Sequence, residues 1–176
     1  MAVSGWLDGK RARLTGDCPA IAEALVAQGA ALVADGPVDI LIDVAAPPVR
    51  RSFHLISHAE WRETIEAGLD RRFLLARDFA AERRDAARGG ALLFVGVPEQ
   101  ALGGDHAAAA GGLGNLTKTL GVEWARDGIR VNTILTSDSG PTLGNLAAYL
   151  VSDYAAYVTG AVLGVRHGEG LQTFAR

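Results

Sequence analysis

The feature that most constrains this chain is a series of short, continuous apolar runs separated by longer segments with helical periodicity. The run "DILIDVAA" covers residues 39–46, and "ALLFVGV" covers residues 91–97. Runs of this length without polar alternation are typical of strands that are buried on both faces, as in parallel sheets. "IRVNTIL" (129–135) and "AVLGVRH" (161–167) are further strand candidates. Because strands alternate with helices, the sequence predicts one α/β domain over residues 1–176, with a doubly wound parallel sheet.

Helix signals lie between these runs. Ser57 and Glu60 form a capping box, and the helix behind them is predicted to end near Arg88, before Gly89 and Gly90. Charged residues of both signs are interleaved along its second half, so its arginines are predicted to form an exposed face. These are Arg71, Arg72, Arg77, Arg83, Arg84 and Arg88. Other helices are predicted over about 19–28, 107–126 and 143–153, and a first strand over 10–15.

One segment conflicts with a regular alternation of strands and helices. Residues 31–34 resemble a strand, but only residues 35–38 separate them from the next strand at Asp39. A parallel neighbour needs a crossover of about a dozen residues, and four residues reach at most roughly 13 Å. Residues 31–34 are therefore predicted to be short, displaced or antiparallel, and one strand–helix unit of the regular pattern is missing.

The composition is that of an ordinary globular protein. Net charge is −3, so the chain has no broad basic field for nucleic acid or anionic lipid. Cys18 is the single cysteine, which excludes an internal disulfide and suits a reducing compartment. The N-terminus lacks the apolar core of a signal peptide, and no run approaches the ~20 apolar residues that span a bilayer. A cytoplasmic location is expected.

Several segments together resemble the short-chain dehydrogenase/reductase family. They are "LDGKRARLTG", "AIAEALVAQGA", "VDILIDVAA", "TLGVEWARDGIRVN" and "YVTGAVLGV". The resemblance covers nearly the whole chain in segments, and "GIRVN" and "YVTG" are its most specific parts. It implies a Rossmann-like fold, here shortened, in a family of NAD(P)-dependent oxidoreductases that are usually dimers or tetramers.

The phosphate-binding turn implied by this resemblance is degenerate. The family has Thr-Gly-x-x-x-Gly-x-Gly, where glycines let backbone N–H groups approach a pyrophosphate at a helix N-terminus. Here the turn reads Thr15-Gly16-Asp17-Cys18-Pro19, with one glycine and about four fewer residues. Pro19 has no N–H, and Asp17 places a negative charge at the helix end, where it is interpreted as a cap (alternatively Cys18). We therefore expect no cofactor on this chain.

Two further positions near the expected cofactor site depart from the family pattern or have a simpler explanation. Asp35 lies 19 positions after Gly16, near the spacing of a ribose-binding acid. Without the phosphate loop, a turn aspartate before Gly36 explains Asp35 better. The family's Asn-Asn-Ala-Gly at the end of a central strand corresponds to residues 43–46, Asp-Val-Ala-Ala.

The catalytic positions implied by the resemblance also carry other residues. The family's asparagine, serine, tyrosine and lysine fall on Gly68, Val97, His106 and Ala110. In the family the tyrosine transfers the proton, the lysine lowers its pKa and the serine positions the carbonyl. A relay needs titratable groups within hydrogen-bonding reach, and His106 alone of the four is titratable. No catalytic residue is therefore predicted, and the short segment 136–142 leaves no room for the family's substrate lid.

Other candidate sites have simpler explanations. His106 near a helix start is more often a capping or surface residue than an acid–base catalyst. His54 and His58 are spaced as zinc ligands on a helix, but Ser57 caps that helix and no third ligand is evident, so no metal is predicted. Residues 137–139 (Ser-Asp-Ser) follow a strand end and are interpreted as a turn, and residues 111–114 (GGLG) follow no strand.

By contrast, the chain retains the segments that form the subunit interface in this family. In short-chain dehydrogenases the two long helices that correspond to about 57–88 and 107–126 form the main subunit interface. Small residues in the second helix permit close approach of a neighbour, which can offset their cost of about 1 kcal/mol per glycine. The predicted interface residues are Phe73, Phe79, Ala110, Gly111, Gly114, Leu120, Trp124 and, in the tail, Phe174.

This asymmetry favours a non-catalytic homologue that serves as a subunit. The expected partner is a catalytically intact paralogue in a heterodimer or heterotetramer, with NAD(P) bound by the partner; association with itself is the alternative. Two further hypotheses stay open. One is a ligand-binding or regulatory module with a remodelled nucleotide crevice, and the other is an active reductase with an atypical site around His106 and Asp43.

Overall fold

A computed structural model describes residues 5–48, 51–97, 103–166 and 170–173. In this part of the chain seven strands form one sheet. They are β1 (Arg11–Thr15), β2 (Ala31–Leu32), β3 (Ile40–Val44), β4 (Gly90–Gly96), β5 (Ile129–Thr136), β6 (Val162–Arg166) and β7 (Gly170–Thr173). Their order in the sheet is β2-β1-β3-β4-β5-β6-β7. All neighbouring pairs are parallel except β6 and β7, which are antiparallel. The predicted parallel α/β sheet is therefore confirmed, and β7 is an addition that the sequence did not indicate.

The helices lie in two layers, one on each face of the sheet. Helices α1 (Pro19–Ala27) and α5 (Pro141–Val151) pack together on one face. The other face is covered by α3 (Arg71–Asp85) and α4 (Gly104–Glu123). Two elements come before α3, namely α2 (His58–Ile65) and a π-helical turn at Glu66–Asp70. Short 3₁₀ turns lie at Phe53–Leu55, Ala125–Asp127 and Asp153–Ala155. Within the described residues no helix is long and apolar enough to cross a membrane.

The central strands are apolar throughout because each face of the sheet meets a helix layer. In β4, Leu93 and Val95 belong to the core under α1 and α5, whereas Leu92 and Phe94 belong to the core under α3 and α4. Each of these side chains is at least 95% buried, and burying one such side chain contributes about 1.5–3 kcal/mol. The continuous apolar runs in the sequence thus correspond to strands with two buried faces.

The prediction that residues 31–34 cannot form a full strand with an ordinary return is confirmed. Strand β2 has two residues and pairs in parallel with the first part of β1. The chain then crosses one face of β1 in a tight turn, which Arg11 and Arg13 hold by donating to the carbonyl oxygens of Asp35 (3.3 Å) and Gly36 (2.5 Å). Asp35 is exposed within this turn, as a turn aspartate should be. A turn held by two arginines takes the place of the missing strand–helix unit.

The long helix predicted behind Ser57 begins as expected but is not uniform. The side chains of Ser57 and Glu60 make both hydrogen bonds of the capping box. The α-helical pattern is interrupted by the π-helical turn and ends at Asp85, three residues before the predicted end. Ala87 has a positive φ of 51°, which the chain adopts on leaving the helix towards β4. The helix predicted over 107–126 occupies Gly104–Glu123.

Candidate functional site

A cavity of about 360 Å³ opens at the carboxyl ends of β3, β4 and β5. In α/β sheets with this connectivity, ligands bind at the carboxyl ends of the strands. Gly68, Val97, His106 and Ala110, the four positions that the family resemblance singles out, all line this cavity. The four positions named from the resemblance are thus brought together in one cavity. Its other lining residues are mostly small or apolar, among them Ala45, Pro47, Ala67, Ala109, Leu113 and Leu135, together with the polar Thr64, Arg71 and Arg72.

The π-helical turn determines how the cavity wall is built. Gly68 lies in this turn, where a Cβ atom would be 2.9 Å from the Cβ of Ala109 on α4. Gly112 of α4 faces Leu69 with the same clearance of 2.9 Å. Since real Cβ contacts are longer than this, Gly68 is required by the close approach of Ala109, whereas a side chain at Gly112 would require the end of Leu69 to shift. Turns of this type are frequent at functional sites, but at Gly68 the packing leaves no room for a functional side chain.

The most heavily connected polar group beside the cavity is the carboxylate of Asp43, at the end of β3. Asp43 is fully buried. Its Oδ2 accepts a hydrogen bond from Nε of Arg72 at 2.8 Å, and its Oδ1 accepts one from the hydroxyl of Thr15 at 2.6 Å. Nη2 of Arg71 lies 2.9 Å from Oδ1 and 3.2 Å from Oδ2. One carboxylate thus joins the ends of β1 and β3 to the start of α3.

The side chain of Arg72, like that of Asp43, is buried and hydrogen-bonded. It is 3% exposed, its Nη2 donates to the carbonyl oxygen of Val95 at 3.0 Å, and its guanidinium lies over the ring of Phe94. Burial lowers the pKa of Arg72, and the neighbouring Asp43 carboxylate opposes that shift. Arg71, whose side chain is 48% exposed, adds a second positive charge. Two arginines facing one aspartate leave this end of the cavity with one surplus positive charge.

A second polar group, at the start of α4, fixes His106. Nδ1 of His106 lies 3.2 Å from Oδ1 of Asp105, without the angles of a hydrogen bond. Asp105 is 1% exposed, and its Oδ2 accepts a hydrogen bond from Thr64 of α2 at 2.9 Å. Burial acts to raise the pKa of Asp105, but the contacts with His106 and Thr64 outweigh it, so the pKa is lowered. The group ties α2 to α4 and holds the histidine at the cavity wall.

The turn at the start of α1 has little capacity for an anion. Gly16 has a positive φ of 83°, and a Cβ atom there would overlap the carbonyl oxygen of Val44 on β3. The helix begins at Pro19, which has no N–H, and the N–H of Ile21 donates to the carbonyl oxygen of Cys18 at 3.1 Å. Few backbone donors therefore remain at this end of the helix.

Neither residue proposed to cap α1 does so with its side chain. Cys18 occupies the N-cap position and is buried in the core under α1 and α5, without a side-chain cap hydrogen bond. Asp17 precedes it and is exposed. Of the two predicted caps, Cys18 is therefore the one in the N-cap position, and the preference for Asp17 is wrong because the chain enters the helix through Pro19 one residue further on.

Comparisons with known proteins agree with this geometry. The family model for short chain dehydrogenases matches residues 14–146. The chain belongs to the short-chain dehydrogenase family. A cis-4-hydroxycyclohexanecarboxylate dehydrogenase of Sinomonas cyclohexanicum is 31% identical, with 76% of this chain and 66% of the relative covered. A galactitol 2-dehydrogenase (L-tagatose-forming) of Cereibacter sphaeroides is 28% identical, with 84% and 71% covered. The chain thus spans about two thirds of the length of these relatives.

Solved structures of family members have the same fold. A short-chain dehydrogenase from Mycobacterium avium superposes with a TM-score of 0.86 at 22% identity, covering 98% of this chain and 86% of that one. A putative 2-deoxy-D-gluconate 3-dehydrogenase from Agrobacterium tumefaciens, solved with bound NADP, superposes with a TM-score of 0.81 at 24% identity, covering 92% and 96%. A shortened Rossmann-like domain of this family is therefore the architecture.

Two of the helix arginines were placed wrongly by the sequence. Arg72 and Arg83 are 3% and 5% exposed, so the prediction that the arginines form an exposed face fails for both. Arg83 donates to the carbonyl oxygens of Gly89 (2.8 Å) and Val38 (3.0 Å) and pairs with Asp39 at 3.1 Å. The polar partners lie at the ends of strands, where buried guanidinium groups can be satisfied.

The predicted interface residues of this family member divide into two groups. Phe79, Leu120 and Trp124 are 5–7% exposed because they pack against the sheet within the chain, so their assignment to a subunit interface is wrong. Phe73 is 48% exposed, and Ala110, Gly111 and Gly114 are partly exposed on α4. Phe174 lies outside the described residues.

The remaining candidates from the sequence carry no site in the structure. Residues 137–139 form the predicted turn, in which Oδ1 of Asp138 accepts a hydrogen bond from the N–H of Gly140 at 2.7 Å. His54 and His58 are exposed, and no group of three potential metal ligands is found in the described part of the chain. A second, polar cleft at the amino ends of the strands contains Lys10 and Arg130 among its charged residues. It lies away from the ligand-binding edge of such sheets.

Asp43→Asn should destabilise the protein strongly. The substitution leaves Arg72 buried without a neutralising charge, which costs about 3–5 kcal/mol. Denaturant unfolding measures the change in the free energy of unfolding. The matched control is Asp78→Asn, whose carboxylate pairs with Arg77 at the surface, and which should change stability by less than about 1 kcal/mol. Equal, small effects of both variants would contradict a structural role for Asp43.

Asp105 should contribute stability that depends on pH. Because its pKa is lowered in the folded protein, the contribution is fully present above the unfolded value of about 3.9 and is lost as pH falls through the lower folded value. The wild-type protein should therefore lose more stability than Asp105→Asn between about pH 5 and pH 2, as measured by chemical unfolding. Parallel pH profiles for the two proteins would show that the carboxylate gains nothing from His106 and Thr64.

Proposed function

We propose that this chain is a catalytically incomplete short-chain dehydrogenase that acts as a subunit. Its partner would be an intact paralogue in a hetero-oligomeric NAD(P)-dependent oxidoreductase in the cytoplasm, and NAD(P) would be bound by that partner. The observation that carries the proposal is the ion pair cluster of Asp43, Arg71, Arg72 and Thr15. It occupies the region where a dinucleotide would otherwise meet this sheet.

The position of this cluster follows from the sheet order. From β1 the chain moves to β2 on one side and later to β3 on the other, so the topological switch point lies between β1 and β3. Thr15 ends β1 and Asp43 lies near the end of β3. A pyrophosphate brought to the turn before α1 would meet the exposed carboxylate of Asp17. The buried guanidinium of Arg72 is already committed to Asp43 and to the carbonyl oxygen of Val95. The residues present therefore do not fit the cofactor.

The turn before α1 gives independent support. A pyrophosphate needs several convergent N–H donors at a helix N-terminus. Here Pro19 supplies none, and Gly16 is packed against the carbonyl of Val44 instead of facing an open cradle. The segment between β5 and α5, residues 137–140, is also too short to form a cover that excludes water from a reaction.

The cavity offers little chemistry for hydride transfer coupled to proton transfer. Gly68, Val97 and Ala110 cannot hold or move a proton. His106 can, and its neighbour Asp105 would orient it, which is the observation that keeps an atypical reductase as the second candidate. A reductase would also need a hydride donor beside His106, and the residues at the switch point do not fit the donor that this family uses.

A glycine of α4 supports association of this chain with a partner subunit. Gly68 is required by packing within the chain, but a Cβ atom at Gly111 would meet nothing within 4 Å. A glycine in a helix interior costs about 1 kcal/mol relative to alanine, and no contact within the described residues explains that cost at Gly111. Close approach of a neighbouring helix would do so. Exposed apolar side chains on the same side of the sheet, Phe73 and Leu74 on α3 and Val122 on α4, offer further surface for a partner.

The relatives suggest what the partner would do. They are dehydrogenases or reductases, and their substrates range from cyclic hydroxy acids to a sugar alcohol and acetoacetyl-CoA. This range selects no single substrate. The oxidation of a secondary alcohol, or the reverse reduction, is the reaction class that we assign to the partner.

The purified chain should not bind NAD(H) or NADP(H) saturably at concentrations up to about 1 mM. The cofactor region is already filled by the Asp43 cluster, so calorimetric titration should give only dilution heats. An intact member of the family serves as the positive control. Saturable binding without turnover would favour the ligand-binding module. Turnover that is lost in His106→Ala would favour the atypical reductase.

Gly111→Leu should prevent association without harming the fold. The new side chain enters open space in the isolated chain, and leucine raises helix propensity by about 1 kcal/mol, so stability should be unchanged or higher. Affinity capture of the chain from its native source should yield an intact family member with the wild-type protein and lose it with Gly111→Leu. Asn145→Leu, exposed on α5 in the opposite layer, is the control that should keep the partner. A wild-type protein that stays monomeric with no family member captured would refute the proposal.

A further inference from the structure

The cavity at the carboxyl ends of β3, β4 and β5 combines an apolar lining with one charged wall. Ala110, Leu113 and Leu135 form part of the apolar surface, and Arg71 and Arg72 lie on the charged side. A cavity of about 360 Å³ is at the lower end of the range for small-molecule sites, which bind ligands mainly through apolar contact and a few well-placed polar groups. The composition of the wall therefore indicates what ligand would fit.

The charges of this wall do not cancel. Arg72 is buried, and its guanidinium is committed to Asp43 and to the carbonyl oxygen of Val95. Arg71 shares the same carboxylate through Nη2 alone, and among the described residues its Nε and Nη1 have no partner. Asp43 is already saturated by the two arginines and the hydroxyl of Thr15. One positive charge at Arg71 is consequently left over, on a half-exposed guanidinium.

The other acidic groups nearby do not supply the missing charge. Asp105 is buried at the opposite wall, where it contacts His106 and Thr64. Glu66 and Asp70, next to Arg71 along the chain, are exposed, and neither forms an ion pair with Arg71 in the described structure. The cavity is thus an apolar pocket with one uncompensated cation at its side.

We propose that this cavity binds a small, apolar monocarboxylate. The carboxylate would accept a charge-assisted hydrogen bond from Nε or Nη1 of Arg71, the two nitrogens that Asp43 does not engage. The apolar body would pack against Ala110, Leu113 and Leu135 and displace water from them. One surplus charge matches a monoanion better than a phosphate, which carries more charge and has no apolar part to fill the pocket.

This inference rests on the proposed function in one respect, namely that the Asp43 cluster, and not a dinucleotide, occupies the switch point. It can fail independently, because ligand binding by the isolated chain requires neither nucleotide nor partner. A carboxylate site would give the subunit a means to sense a substrate or product of its complex.

Calorimetric titration of the full chain with benzoate tests the inference, with benzamide as the neutral probe of the same shape. Benzoate should bind saturably and at least about tenfold more tightly than benzamide, since hydrogen bonds to a charged group contribute more than neutral ones. Arg71→Gln should abolish the preference for the carboxylate. Arg77→Gln, at an exposed arginine on the same helix that pairs with Asp78, should leave it unchanged.

A second variant keeps the test decisive if Arg71→Gln does not fold. Ala110→Leu adds volume at the cavity wall without touching the ion pair cluster, and it should weaken benzoate binding by at least about tenfold. Inorganic phosphate should not compete with benzoate at equal concentration. The inference is overturned if benzoate does not bind saturably, if benzamide binds equally well, if phosphate displaces benzoate, or if Ala110→Leu binds benzoate as the wild type does.

Discussion

The buried carboxylate of Asp43 is the constraint on which the functional end of this protein depends. It connects β1, through Thr15, with β3 and with the first turn of α3, through Arg71 and Arg72. Taking such charges out of water costs about as much as their attraction returns, so a buried ion pair adds little net stability. What the pair does provide is position. Removing the charge of Asp43 or of Arg72 leaves a buried partner unsatisfied, so the ends of the strands and the start of α3 are held in one arrangement at the place where a family member would bind its nucleotide.

Much of the fold could be predicted from the sequence because apolar pattern and chain length determine it directly. The runs at β3 and β4 have no polar alternation, which requires cover on both faces, and the four residues 35–38 exclude a regular crossover. The prediction that the arginines form an exposed face was wrong for Arg72 and Arg83, and the spacing of residues along α3 shows why. Arg72 and Arg83 share a helical stripe with Ala76, Phe79 and Ala80, and a residue on such a stripe is buried whether or not it is charged.

The candidate site could be located but not described from the sequence. Aligning the chain with its family brought Gly68, Val97, His106 and Ala110 to one cavity, because the order of elements fixes which strand ends meet. Asp43 was named as a candidate beside His106, but its pairing with Arg71 and Arg72 and that of Asp105 with Thr64 were not predicted. These pairings join residues 28 or more positions apart in the chain. Likewise Phe79, Leu120 and Trp124 were assigned to an interface because a helix pattern alone does not distinguish the side that meets the sheet from the side that meets a partner.

The three glycines near the cavity differ in whether packing inside the chain accounts for them. At Gly68 the absent side chain is explained inside the chain, because α4 and the π-helical turn approach so closely that a methyl group would collide, and at Gly112 a side chain would require the end of Leu69 to shift. The smallness of Gly111 has no such internal cause, although it weakens the helix by about 1 kcal/mol. A cost without an internal benefit points outward, to a surface that another molecule covers. The same reasoning applies to Arg71, which lines an apolar cavity. No described side chain neutralises its surplus positive charge. The proposed partner would account for the first feature, at the helix surface, and the proposed carboxylate ligand for the second, at the cavity.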